Sequence, residues 1–171
     1  QRSTMTGTLQ TDPKEDENGN GEVTVLMTGA GAPGASGIIR SLRAWEDHDV
    51  RIVGVDVNPD AYGFALVDES YTVPHGDDDG YIPRIAEIVR SEDADVVLPL
   101  TTAELGPLAA ERDALDATVM VSEQDALDVA NDKAALYDYL DEEGFDAAPE
   151  FYHVQTRTEF LHAVETLGYP E

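Results

Sequence analysis

Apolar positions along the chain fall into blocks that switch between two periods. VTVLMT (residues 23–28) is a continuous apolar, β-branched run, the pattern of a strand buried on both faces. The stretch SGIIRSLRAWE then places Ile38, Ile39, Leu42 and Trp45 on one helical stripe, with Arg40, Arg43 and Glu46 away from it. RIVGVD (residues 51–56) predicts a second strand and SYTVP a short third. YIPRIAEIVRSE predicts a helix through Ile82, Ile85, Ile88 and Val89, ADVVLPL a fourth strand, and AELGPLAAERDAL with ATVMVS one more helix and strand. SEQDALDVANDKAALYDYLDEEGF is mostly helical, and Gly144 stands where a helix C-terminal glycine belongs. Such alternation predicts an α/β fold: an open parallel sheet of about five strands, helices on both faces, right-handed crossovers.

In a sheet of this kind ligands bind beyond the carboxyl ends of the strands. The loops after Thr28, Asp56, Pro74 and Leu100 therefore supply the candidate site residues. The first holds Gly29-Ala30-Gly31-Ala32-Pro33-Gly34, a G-x-G-x-x-G between strand and helix, and Asp56 follows 22 positions after Gly34. Three readings share these residues. The turn could cradle a dinucleotide with Asp56 on the ribose, or another anion at the helix N-terminus. It could also serve only close strand–helix packing, with Asp56 capping a turn at Asn58-Pro59.

Charge and composition narrow the partners. Asp and Glu number 36 against 10 Lys and Arg, a formal charge of -26, and Lys14 and Lys133 are the lysines. Repulsion of this size disfavours nucleic acid and anionic membranes as partners. A 42% hydrophobic content in periodic blocks argues for a charge-coated fold rather than a disordered acidic chain. The acidic, lysine-poor coat resembles that of proteins from salt-accumulating halophiles. Cysteine is absent, which excludes disulfides, thiolate metal sites and thiol nucleophiles. No apolar run reaches the roughly 18 residues of a membrane span and no signal core is evident, so a cytoplasmic location is expected. Residues 1–22 have almost no large apolar side chains and predict a flexible leader, with Met5 a possible natural start.

Other chemistries lack their residues. His48, His75, His153 and His162 show no paired ligand spacing and are assigned no metal. Ser36 lacks a G-x-S-x-G elbow, no Y-x-x-x-K pair is present, and Tyr137 with Leu136 and Leu140 predicts core.

Several blocks in order carry a more specific signal: GVDVNPD, AYGFALVDESYTVP, DVVLPLTTAELGPLA, VSEQDALDVANDKAALYDYLDEEGFDAAPEFYHV and FLHAVETLGYP. Together they resemble the amino-terminal part of the ATP-grasp ligases, most nearly carbamoyl-phosphate synthase large-subunit-like proteins. The resemblance runs from about residue 23 to the last residue. It implies a Rossmann-like pre-ATP-grasp domain over residues 23–130, then, over 131–171, a linker helix and the start of an ATP-grasp module that this sequence does not complete. The complementary module is then expected in cis or as a separate chain. The family activates a carboxylate or bicarbonate as an acyl phosphate with ATP and Mg2+, and a nitrogen nucleophile displaces the phosphate. Asn131-Asp132-Lys133 matches the start of the linker helix, which assigns Lys133 to ATP. The small-molecule substrate would meet Gly29, Gly31, Gly34, Asp56, Asn58, Thr101 and Glu104. For Glu104 the residues alone favour a first-turn helix acid behind a Thr cap; for Lys133 the alternative is an exposed helix lysine beside Asp132, against which the scarcity of lysine elsewhere in the chain weighs. A nicotinamide-binding oxidoreductase or epimerase domain and a non-catalytic ligand-binding module are the competing expectations.

Overall fold

The computed structural model describes residues 21–145 and 149–168, so residues 1–20 of the expected leader lie outside it. The chain divides into two compact units between Ser122 and Glu123.

In the first unit β1 (Val23–Met27), β2 (Val50–Asp56), β3 (Glu69–Thr72), β4 (Val96–Leu98) and β5 (Thr118–Val119) form one parallel sheet in the order β3-β2-β1-β4-β5. β1 is the central strand. Val23–Met27 pairs with Val50–Gly54 on one side, and Val25–Met27 with Val96–Leu98 on the other. A strand so placed has no solvent face, which is why its sequence is an unbroken apolar run.

Successive residues of β1 and β2 point into two separate cores. Leu26, Val53 and Val55 meet Ile85, Ile88 and Val89 of α2 (Tyr81–Glu92) and Leu108 of α3 (Thr102–Ala110). Met27 and Ile52 meet Ala35 and Ile39 of α1 (Ala35–Arg43). Helices thus cover both faces, as the alternation predicts.

Three local expectations change. α1 stops at Arg43, and Trp45 is 45% exposed with its ring 4.5 Å from that of His48. The chain beyond Arg43 reads AWEDHD, whose Asp and His residues extend a helix poorly. The helix expected over AELGPLAAERDAL breaks after Ala110, and Arg112–Ala114 form a separate 3-10 turn. β5 keeps only two residues of ATVMVS, a length that leaves little unpaired edge.

The second unit contains α4 (Gln124–Asn131), α5 (Lys133–Glu142) and α6 (Arg157–Leu167). Asp132 divides the first two: its extended backbone ends α4, and its Oδ1 accepts from the N–H groups of Ala134 (2.9 Å) and Ala135 (3.2 Å) as the cap of α5. Gly144, at φ +74°, ends α5 as expected, with Phe145 N–H donating to the Leu140 carbonyl at 2.8 Å. α6 opens with a capping box between Thr156 and Glu159. Tyr137 is not core: α5 has no buried residue, and the half-buried Tyr137 ring packs 5.0 Å from Phe151.

Candidate functional site

The parallel arrangement gathers the carboxyl ends of β1, β2 and β4, and with them six of the eight expected site residues: Gly29, Gly31, Gly34, Asp56, Thr101 and Glu104. Gly29 takes φ +60°, a conformation glycine adopts without strain. A Cβ there would also lie 2.7 Å from Thr101 Cγ2, so the β4–α3 loop packs directly on this turn. Gly31 donates its N–H to Asp56 Oδ2 at 2.7 Å, and a Cβ on it would meet that oxygen at 3.0 Å and Ala61 Cβ at 3.3 Å. Gly34 is different. It precedes α1 with nothing within 4 Å of a built Cβ, and no side chain caps the helix there.

Asp56 works on both sides of its position. While Oδ2 holds Gly31, Oδ1 accepts from Asn58 N–H at 2.9 Å. Asn58 is exposed and turns its own Oδ1 to Asp60 N–H at 3.0 Å, stabilising the local turn rather than facing the glycines.

Two residues that the sequence analysis passed over complete the clamp. Gly63, in the 3-10 turn Tyr62–Leu66, sits so close to the glycine turn that a Cβ on it would fall 2.0 Å from the Ala30 carbonyl oxygen. Tyr62 donates its hydroxyl to the Ala32 carbonyl. The signal available was a lone glycine inside the apolar stretch AYGFALV, which marks close backbone approach.

Behind the turn lies a buried polar group. Thr28, fully buried at the end of β1, accepts from Leu100 N–H at 3.2 Å and donates to Glu104 Oε2. Glu104 is 7% exposed, and burial pushes its carboxyl above the ordinary glutamate value against the opposing pull of the Thr28, Thr101 and Tyr81 hydroxyls; the charge of Asp56 pushes the same way as burial. Glu104 is the first-turn acid of α3 that the sequence predicts, and it points inward rather than to solvent because Thr28 offers it a partner at the strand end. Tyr81, 1% exposed, is raised by its burial and by Glu104.

Lys133 belongs to the second unit. It is the first residue of α5, exposed, and among the described residues no hydrogen bond or ion pair holds its ammonium. No cluster of three or more His, Asp or Glu able to hold a metal occurs among the described residues.

Residues 25–121 match the family model described as PylC-like, N-terminal domain. No curated protein matches the chain in sequence. Among solved structures, N5-carboxyaminoimidazole synthetase from Staphylococcus aureus complexed with ADP superposes with a TM-score of 0.59 at 20% identity, over 86% of this chain and 36% of that one. Glycinamide-RNase-transformylase T from Mycobacterium tuberculosis gives 0.62 at 17%, over 86% and 40%. The biotin carboxylase subunit of pyruvate carboxylase gives 0.54 at 20%, over 86% and 33%. The likeness shows a shared fold, and this chain spans between a third and two fifths of the length of those proteins.

Substitutions separate the glycines by what each faces. Gly63→Ala should destabilise the chain by about 3 kcal/mol or more, since the methyl meets a backbone oxygen that cannot yield. Gly34→Ala should change stability by less than about 1 kcal/mol. Urea unfolding of both variants measures the difference.

Proposed function

We propose, from the premise that this chain belongs to the PylC-like N-terminal domain family, that it is the amino-terminal domain of an ATP-dependent carboxylate–amine ligase of the ATP-grasp type. The observation that carries the reading is the family match across residues 25–121, which takes in Val25–Met27 of β1 and all of the other four strands of the sheet. Carbamoyl-phosphate-type chemistry is the narrower form of the proposal and rests on the sequence blocks alone.

On this reading the domain presents a small-molecule substrate at the carboxyl edge, with Gly34, the N-terminus of α1 and Thr101 forming the accessible part. Gly29, Gly31 and Asp56 act by shaping that edge, and Asn58 by ordering the turn after β2. Lys133 would reach ATP, its ammonium uncommitted at the start of α5. Among the described residues no cluster of three or more His, Asp or Glu could hold magnesium. Both ATP and Mg2+ are accordingly assigned to the complementary ATP-grasp module, in cis or as a separate chain, and no catalytic residue is assigned here. No helix among the described residues is long and apolar enough to cross a membrane, and a cytoplasmic setting suits a nucleotide-dependent ligase. The nicotinamide alternative loses support from the geometry, because the Gly31 N–H, a donor the turn would offer to a pyrophosphate, is already spent on Asp56 Oδ2.

The test uses the complete protein. A charge-assisted phosphate contact contributes about 1.5–3 kcal/mol, so Lys133→Ala should weaken ATP binding by roughly 10- to 100-fold with unchanged thermal stability. The isolated 171-residue chain should not hydrolyse ATP. Wild-type ATP affinity in the variant would return Lys133 to an ordinary surface role.

The acidic coat is part of the same proposal, as an adaptation to concentrated salt. Molar potassium chloride shortens the screening length to about 3 Å, so the melting temperature should rise steadily from dilute buffer to molar salt. A flat or falling curve in calorimetry would remove the halophilic reading.

A further inference from the structure

Among the described residues, the carboxyl of Glu104 is surrounded by hydroxyls and by no cation. Thr28 comes from β1, Tyr81 from α2 and Thr101 from the cap of α3, while Asp56 acts on it from the end of β2. The β3–α2 connection presses Gly76 against its stem, a Cβ there falling 2.8 Å from Glu104 Cγ. The titratable groups flanking Gly76, His75 and Asp77, are exposed and paired with each other at 2.6 Å. A buried carboxylate without a positive partner is an expensive arrangement, and a second anomaly lies beside it. The Tyr81 hydroxyl, buried next to Glu104 and Thr28, has no hydrogen-bond partner in acceptable geometry. Buried hydroxyls almost always find one.

A single proton resolves both. With Glu104 neutral, Thr28 still donates to Oε2, and the carboxyl O–H can donate to the Tyr81 oxygen. With Glu104 ionised, the negative charge needs donors, and Tyr81 and Thr101 must turn toward it. Thr101 is the residue whose methyl packs on Gly29. A rearrangement of the hydroxyls around Glu104 therefore has a contact through which to reach the glycine turn.

We propose that Glu104 is a proton-operated pin: its protonation state sets how the β4–α3 loop, through Thr28 and Thr101, grips the glycine turn. The inference concerns this chain alone and stands whether or not the ligase reading holds.

The sign of the pH dependence follows from linkage. A carboxyl whose folded value lies above its unfolded value leaves the folded state holding more protons. The contribution of Glu104 to stability is then greatest below the ordinary glutamate value of about 4.3, falls as pH rises from there through the folded value, and is level beyond it.

The test is a carboxyl-carbon NMR titration of the full chain. Glu104 should titrate above the ordinary glutamate range, and the backbone amide signals of Gly29 and Thr101 should shift with the same midpoint. Glu104→Gln should abolish the linked shifts of Gly29 and Thr101 and flatten the decline in stability above about pH 4.3. A Glu104 midpoint at or below the ordinary value, or Gly29 and Thr101 signals that do not follow it, overturns the proposal. Because the wild-type titration alone decides both points, the outcome does not depend on the variant folding.

Discussion

Three consecutive residues of one turn are each held by a different residue from the end of β2 and the connection that follows it. Gly63 lies against the Ala30 carbonyl, Asp56 takes the Gly31 N–H, and Tyr62 donates to the Ala32 carbonyl. Thr101 closes the other side against Gly29. The direction of α1, and hence the packing of Ala35 and Ile39 on Met27 and Ile52, depends on this grip. Two of the three glycines of the G-x-G-x-x-G pattern are thus explained by the protein packing on itself. Gly34 alone of the three leaves its space open.

Charge is distributed by the same logic. Against a formal charge of -26, several of the few cations are spent joining elements. Arg43 reaches from α1 to the Val50 carbonyl and to Asp68, at 2.8 and 2.7 Å. Asp68 resists protonation despite its partial burial, because the Ile52 N–H and Arg43 both favour its charged form. Arg51 pairs with Glu92 at 2.5 Å, and the Tyr71 hydroxyl donates to the same carboxylate; Tyr71 first and Arg51 second hold Glu92 below the usual carboxylate range. Arg112 is turned to the Ala109 and Ser122 carbonyls.

Much of the fold was legible because its signals are local. β1 announces itself through five apolar or β-branched residues in succession, α2 through Ile85, Ile88 and Val89 at helical spacing, and the end of α5 through Gly144. What was hidden depends on residues distant in sequence. Gly63 has no meaning until its connection folds over Ala30, and the inward turn of Glu104 requires Thr28, 76 positions earlier in the chain. Trp45 was misplaced for a related reason: periodicity continues past Arg43 although the helix does not. Gly29, Gly31, Gly34, Asp56, Thr101 and Glu104 could be brought to one edge from the sequence because the carboxyl edge of a parallel sheet is predictable from topology; their partners could not, since Asp56 looks the same whether it binds ribose or a backbone N–H.

That last ambiguity is the account's central point, and calorimetry resolves it most directly. If the Gly31 N–H and the Asp56 carboxylate are committed to each other, titrating NAD+ and NADP+ into this chain should give no saturable heat at millimolar cofactor. Saturable binding in the micromolar range, lost on Asp56→Ala in a variant that remains folded, would contradict the account and return the glycine turn to dinucleotide recognition.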